Sequence, residues 1–108
     1  MKNKNLRNVL SKFATGVTVV STIDCDGKPI GMTANSFTSV SLDPPLVLWS
    51  IGINQPSYDI FLKAKGYSVS ILSKEQKDIC DLFSSPIENK FSDIDYTLTD
   101  NGLSLIHI

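Results

Sequence analysis

The sequence predicts a mainly β chain with short helices, arranged as a small antiparallel barrel with the helices packed outside. Three observations predict it. Short apolar runs rich in β-branched residues recur at 17–23, 46–51 and 67–72. Asp26-Gly27 follows the first of them and is a strong hairpin signal. Between the runs lie short stretches with helical spacing, each bounded by a capping or stop residue.

Leu6, Val9, Leu10 and Phe13 recur at i, i+3, i+4 and i+7, one face of a short helix that Gly16 ends. Residues 17–23 read as a buried strand, and 24–28 (Asp-Cys-Asp-Gly-Lys) as the turn into a returning strand at 29–37. Gly31 inside that strand marks a bulge or a close backbone approach. Asp43-Pro44-Pro45 is expected to break the ladder, because neither proline can donate a hydrogen bond. Residues 46–51 then read as a second buried strand, with Trp49 in the core. Pro56 suits the first turn of a helix running to about Lys65, with Gly66 as its stop. A strand at 67–72 follows. Ser73 and Gln76 have the spacing of a capping box, ahead of a helix carrying Ile79, Leu82 and Phe83 on one face. Beyond Ser85-Pro86 the pattern weakens, and 96–108 offers one strand.

Composition narrows the function. The 108 residues suit one domain, 42% of them hydrophobic, enough for a core. Ten Lys and Arg against eleven Asp and Glu give a net charge of −1, without the basic footprint of a nucleic-acid binder. No apolar run approaches the length of a membrane span, and no signal-peptide pattern follows the basic N-terminus. Cys25 and Cys80 read as free thiols of a reducing cytoplasm.

The most unusual stretch is 29–58, where Asp43 is the only charged side chain. It is crowded with Thr33, Asn35, Ser36, Thr38, Ser39, Ser41, Ser50, Asn54, Gln55 and Ser57. Hydroxyls and amides both donate and accept without the desolvation cost of a charge, so such a wall suits a flat, mostly neutral ligand with polar edges. Ser and Thr on the outer face of a half-exposed strand also need no ligand at all. At Asn54-Gln55-Pro56-Ser57 a helix begins, where main-chain N–H groups and a hydroxyl favour phosphate or simply cap the helix. There is no Gly-rich phosphate loop, one histidine (His107) cannot make a zinc site with two distant cysteines, and no catalytic triad or dyad stands out.

Two ordered motifs carry a resemblance. Phe13-Ala14-Thr15-Gly16-Val17-Thr18-Val19-Val20 and Gly31-Met32-Thr33-Ala34-Asn35-Ser36-Phe37-Thr38-Ser39-Val40-Ser41-Leu42-Asp43-Pro44-Pro45-Leu46-Val47-Leu48 resemble the flavin reductase family. Tyr67-Ser68-Val69-Ser70-Ile71-Leu72-Ser73 with Glu75-Gln76, and Asn89-Lys90-Phe91, resemble later family elements. The resemblance runs over nearly the whole chain. It implies an antiparallel split β-barrel of the FMN-binding type and hydride transfer from NADH or NADPH to FMN or FAD. It also implies a homodimer and a partner monooxygenase that receives the reduced flavin.

The resemblance further implies site roles. Thr33, Ala34, Asn35 and Ser36 would run past the isoalloxazine and ribityl parts of the flavin. Ser39, Val40 and Ser41 would meet the ring edge, and Ser50, Ile51 and Gly52 would lie beside the ribityl-phosphate chain. Ser57 and Lys90 would be candidates for the phosphate. Catalysis needs no acid or base, since the protein only aligns two rings. Family members continue into strands with a Gly-Asp-His element. This sequence ends at Leu105-Ile106-His107-Ile108, and His107 lacks the preceding Gly-Asp, so that role is not carried onto it. The expectation is a barrel incomplete at the C-terminus, the N-terminal two thirds or so of the family domain. Two other readings remain: a flavin- or heme-binding module without turnover, and a fragment stable only as an oligomer.

Overall fold

A computed structural model describes residues 2–13, 15–86, 89–92 and 94–106. In chain order the elements are helix α1 (Lys2–Leu10), strands β1 (Thr18–Ile23), β2 (Pro29–Ala34), β3 (Thr38–Leu42) and β4 (Pro45–Leu48), helix α2 (Tyr58–Lys63), strand β5 (Ser68–Ile71), helix α3 (Lys77–Phe83), and strands β6 (Tyr96–Leu98) and β7 (Ser104–Ile106). The chain is mainly β with short helices.

β1 is the centre of a three-stranded sheet, antiparallel to β2 on one side and β5 on the other. Its apolar and small polar residues are buried on both faces. Val19 joins Phe83, Phe91 and Ile106 in the core, with Leu72, Ile79, Leu82, Ile94 and Tyr96 packed around them. The buried hydroxyls of β1 are mostly paired: Thr18 Oγ1 donates to the Ala34 carbonyl at 2.7 Å and Thr22 Oγ1 to that of Gly66 at 2.8 Å. The β1–β2 turn forms at the expected residues. Gly27 takes φ 79°, and Asp24 Oδ1 accepts the N–H groups of Asp26 and Lys28, each at 2.9 Å. The capping box also forms, with Ser73 N–H donating to Gln76 Oε1 at 2.9 Å, and it starts a 3-10 turn that runs into α3.

Five expectations need correction. The strand returning from the turn ends at Ala34 rather than residue 37. Asp43-Pro44-Pro45 does not break the ladder. Asp43 and Pro44, joined by a cis peptide, turn the β3–β4 hairpin, and Leu42 pairs with Pro45. A proline at the first position of a strand loses little, because the lost N–H can face away from the partner strand. β4 stops at Leu48 and is not buried: Leu46, Val47 and Leu48 are all about half exposed. An apolar run shows that a strand needs cover, not that the same chain supplies it. α2 begins at Tyr58 and ends at Lys63, with Pro56 in the preceding turn and Ala64, not Gly66, at the C-cap. The end of the chain holds two strands, β6 and β7, joined by a turn in which Gly102 has φ 82°. Residues 107 and 108, included in the expected last strand, lie outside the described residues, as does Ala14 of the first motif.

Candidate functional site

A cavity of about 540 Å³ opens along the outer edge of β2, the strand that pairs only with β1 in its sheet. Its walls are β2 and the residue before it (Lys28 to Thr33), the loop ahead of α2 (Gln55, Pro56, Ser57), the end of α3 (Phe83) and the segment after it (Ser84, Ser85, Lys90, Phe91). A larger cavity of about 900 Å³ lies between the β1–β2 turn, α2 and the β6–β7 turn. It mixes Asp24 and Asp59 with Lys63 and Lys65 and holds none of the site residues predicted from sequence. The smaller cavity is the better site.

That cavity brings together three of the predicted residues: Thr33, Ser57 and Lys90. Thr33 Oγ1 donates to the Cys80 carbonyl of α3 at 2.7 Å, so its lone pairs are what remain for a ligand. Among the described residues Ser57 Oγ meets the thioether of Met32, at 3.9 Å. Lys90 Nζ donates to the Phe83 carbonyl at the end of α3, 2.9 Å away, and lies 6.0 Å from the Phe83 ring centroid. Burial lowers the Lys90 pKa from its ordinary value.

The other predicted residues form a ribbon outside the cavity. Ala34 is buried and its carbonyl is held by Thr18. Asn35 and Ser36 are exposed. Ser36 Oγ accepts the Ser50 N–H at 2.9 Å, which ties the Thr33–Ser36 segment to the Ser50–Gly52 segment. Ile51 is half-buried, Gly52 is exposed, and the Gly52 carbonyl accepts the Gln55 N–H at 3.0 Å, linking this segment to the cavity wall. Ser39, Val40 and Ser41 lie on β3, where the register shifts between Ser39 and Ser41; Ser41 is half-buried and the other two are exposed. The polar wall is therefore a surface and not core.

The expected phosphate site at the start of α2 does not stand as a helix terminus. α2 has six residues, and Ser57 makes no side-chain cap bond. What the segment supplies is cavity wall. Sequence reasoning missed Lys28, Met32, Phe83 and Phe91, which line the same cavity. Lys28 read only as the end of a turn, Phe83 as one face of a helix and Phe91 only as part of a segment resembling a later family element, so no local pattern marked them as cavity wall.

Among the described residues the cavity is lined by two cations, Lys28 and Lys90, by hydroxyls and amides, by apolar side chains, and by no acidic side chain. Its volume falls in the usual range of about 300–1,000 Å³ for small-molecule sites. This donor set fits a flavin: neutral polar groups for the ring and ribityl chain on the ribbon, cations for a phosphate in the cavity. Among the described residues no three His, Cys, Asp or Glu side chains gather as a metal site, and no helix is long and apolar enough to cross a membrane.

Comparison with known proteins points the same way. The flavin reductase like domain matches residues 10–107. A probable flavin reductase of Rhizobium meliloti (strain 1021) is 46% identical over 97 residues, covering 90% of this chain and 31% of that protein. The reductase component of a flavin-dependent trigonelline monooxygenase from Acinetobacter baylyi is 45% identical over 93 residues, 86% of this chain and 30% of that one. The solved NADH:FAD oxidoreductase SgcE6 of Streptomyces globisporus C-1027, in complex with NAD and FAD fragments, superposes with a TM-score of 0.89 at 38% identity, covering 96% of this chain and 62% of that chain. The chain thus spans about a third of the length of these two curated relatives.

Proposed function

The chain belongs to the flavin reductase-like domain family, and from that premise we propose that it binds FMN or FAD and promotes its reduction by NADH or NADPH. The observation that carries the reading is the continuity of a largely exposed, uncharged ribbon, Asn35 to Ser41, with a cavity whose charged side chains, among the described residues, are cationic. The flavin, when bound, supplies the redox chemistry by accepting a hydride at N5 from C4 of the nicotinamide.

The side chains of this protein bind and orient. Ser36, locked to Ser50, and the main chain of Ser39, Val40 and Ser41 hold the ring edge. Gln55, Ser57 and Lys90 hold the phosphate end. A ring fixed at both ends presents one face at a constant angle, and alignment of two reactants is the main source of acceleration in such a transfer. Neutral donors along the ring edge favour the electron-rich reduced state without a fixed charge. No side chain of the chain is required as acid or base.

The split-barrel site serves, in this reading, a monooxygenase that takes up the reduced flavin; the Acinetobacter baylyi relative is the reductase component of a flavin-dependent trigonelline monooxygenase. A cytoplasmic location and a homodimer belong to the same proposal. The exposed Val40, Leu42, Leu46, Val47 and Leu48 of the β3–β4 hairpin favour the dimer, since an isolated two-stranded hairpin with apolar residues on both faces is marginal in water.

The test is a fluorescence titration of FMN and FAD into purified protein, followed by NADH and NADPH consumption in the presence of the flavin that binds. Quenching with flavin-dependent consumption is expected. Quenching without consumption selects a binding module. Absence of both overturns the proposal.

A further inference from the structure

We infer that Met32 is an oxidation site that senses unclaimed reduced flavin: hydrogen peroxide formed in the β2 cavity converts its thioether to the sulfoxide, and the sulfoxide weakens flavin binding. The inference rests on the proposed flavin reduction and adds a regulation of the same site.

β2 presents alternate residues to opposite faces. Gly31 and Thr33 face α3: a Cβ on Gly31 would meet the Phe83 ring, and Thr33 Oγ1 donates to the Cys80 carbonyl. Met32 lies between them and turns the other way, toward the loop ahead of α2, where Ser57 Oγ stands 3.9 Å from its Sδ. Its cross-strand partner is Val20, wholly buried, which anchors the strand at this point. The Met32 side chain is half-buried and lines the cavity. Among the described residues of the cavity wall it alone carries sulfur.

A thioether is the group on this wall most open to two-electron oxidation. A reduced flavin that is not handed on gives two electrons and two protons to dioxygen, which yields oxidised flavin and hydrogen peroxide. The peroxide is released where the flavin sits, beside Met32. A sulfur lone pair attacks one peroxide oxygen. The S–O bond forms as the O–O bond breaks, and the second oxygen takes the proton of the first and leaves as water. The products are methionine sulfoxide and one water. The Ser57 hydroxyl, next to the sulfur, is a donor for the departing oxygen.

Oxidation changes the site in two ways. The sulfoxide oxygen is a far better acceptor than a thioether, so it draws off the Ser57 hydroxyl that the proposed function gives to the phosphate end. An apolar, flexible side chain also becomes polar and bulkier against the ligand. Both weaken flavin binding, so reduction slows when reduced flavin accumulates in air.

The experiment has two arms. In the first, the wild type turns over NADH and FMN in air and under argon, and the peptide carrying Met32 is analysed by mass spectrometry. In the second, the wild type and Met32→Leu are exposed to added hydrogen peroxide, and FMN is titrated by fluorescence before and after, each protein against its own untreated affinity. The peptide is expected to gain one oxygen in air and none under argon. Added peroxide is expected to weaken FMN binding about fivefold in the wild type, methionine sulfoxide reductase to restore it, and Met32→Leu to lose nothing. Met32 left unoxidised after turnover in air, oxidised Met32 with unchanged FMN affinity, or an equal loss in Met32→Leu overturns the inference and leaves the proposed function standing. An untreated wild type that binds no FMN and consumes no NADH overturns both. Leu nearly matches Met in volume, so the variant keeps the fold, which matching thermal melts confirm.

Discussion

A Cβ atom on Gly31 would lie 2.8 Å from Cε1 of Phe83 and 3.2 Å from Cζ of Phe91. β2 therefore presses its bare backbone against the two rings that form both the core and one wall of the cavity. Phe83 is 1% exposed and meets Phe91 edge-on at 5.0 Å, so neither ring has room to step aside. Gly31→Ala is expected to destabilise the fold by about 1–3 kcal/mol and to weaken flavin binding with it. Gly66→Ala, where a Cβ meets nothing within 4 Å, is expected to change stability by less than about 0.5 kcal/mol. Urea unfolding of the two variants checks the contrast.

Ser21 and Ser104 are both fully buried, and among the described residues neither Oγ has a hydrogen-bond partner. Ser70 Oγ, by contrast, accepts the Ile106 N–H at 3.0 Å and so pins β7 to β5. Ser21→Ala and Ser104→Ala are expected to be neutral or stabilising, because each removes a desolvated hydroxyl and no bond. Ser70→Ala is expected to cost about 1–3 kcal/mol, the penalty of a buried N–H left unpaired. Thermal melts of the three single variants rank them in that order.

Lys90 carries a pH dependence. Burial holds its pKa below 10.5 in the folded chain. Between that lowered value and 10.5 the unfolded chain binds the proton more than the folded chain does. Stability contributed by this group therefore rises as pH climbs through that window and falls as pH drops back through it. Lys90→Met is expected to abolish that part of the slope. Affinity for FMN moves the opposite way in the wild type: it declines as pH rises through the same window, because the neutral amine no longer attracts a phosphate, while affinity for riboflavin stays level. Stability and FMN titrations across alkaline pH test both signs.

Leu42 is 92% exposed at the tip of the β3–β4 hairpin, and Leu6, Val9, Leu10 and Phe13 are all exposed on and just after α1. If these surfaces are covered by a second copy, Leu42→Glu together with Leu48→Glu shifts the protein toward monomer by at least tenfold in dissociation constant. Sedimentation equilibrium measures it. A monomeric wild type at micromolar concentration contradicts the homodimer.

Much of this architecture was legible in the residues. β1 was visible in its β-branched run, its turn in Asp26-Gly27, the capping box in Ser73 and Gln76, and the buried face of α3 in Ile79, Leu82 and Phe83. Gly31 was readable as a close approach, though not which ring approaches it. What failed had a common cause: local pattern reports need, not partner. Leu46 to Leu48 looked buried because it is apolar, yet each of the three is about half exposed. Trp49 looked like core and instead sits half-buried, edge-on to Phe61 at 5.1 Å and Tyr67 at 5.6 Å. β6 and β7 are three residues each, too short for any periodicity, and the turn at Asn101-Gly102 that separates them went unread, so 96–108 looked like one strand. The ribbon of hydroxyls and amides was visible from composition alone. The cavity was not, because Lys28, Met32, Phe83 and Phe91 meet only through the fold.

The most direct trial of the account is an anaerobic mixing experiment with FMN, purified protein and NADH, followed at the absorbance band of oxidised flavin. The account predicts bleaching well above a protein-free control, slowed in Lys90→Met. Bleaching no faster than the control, with protein shown to be folded, would contradict it.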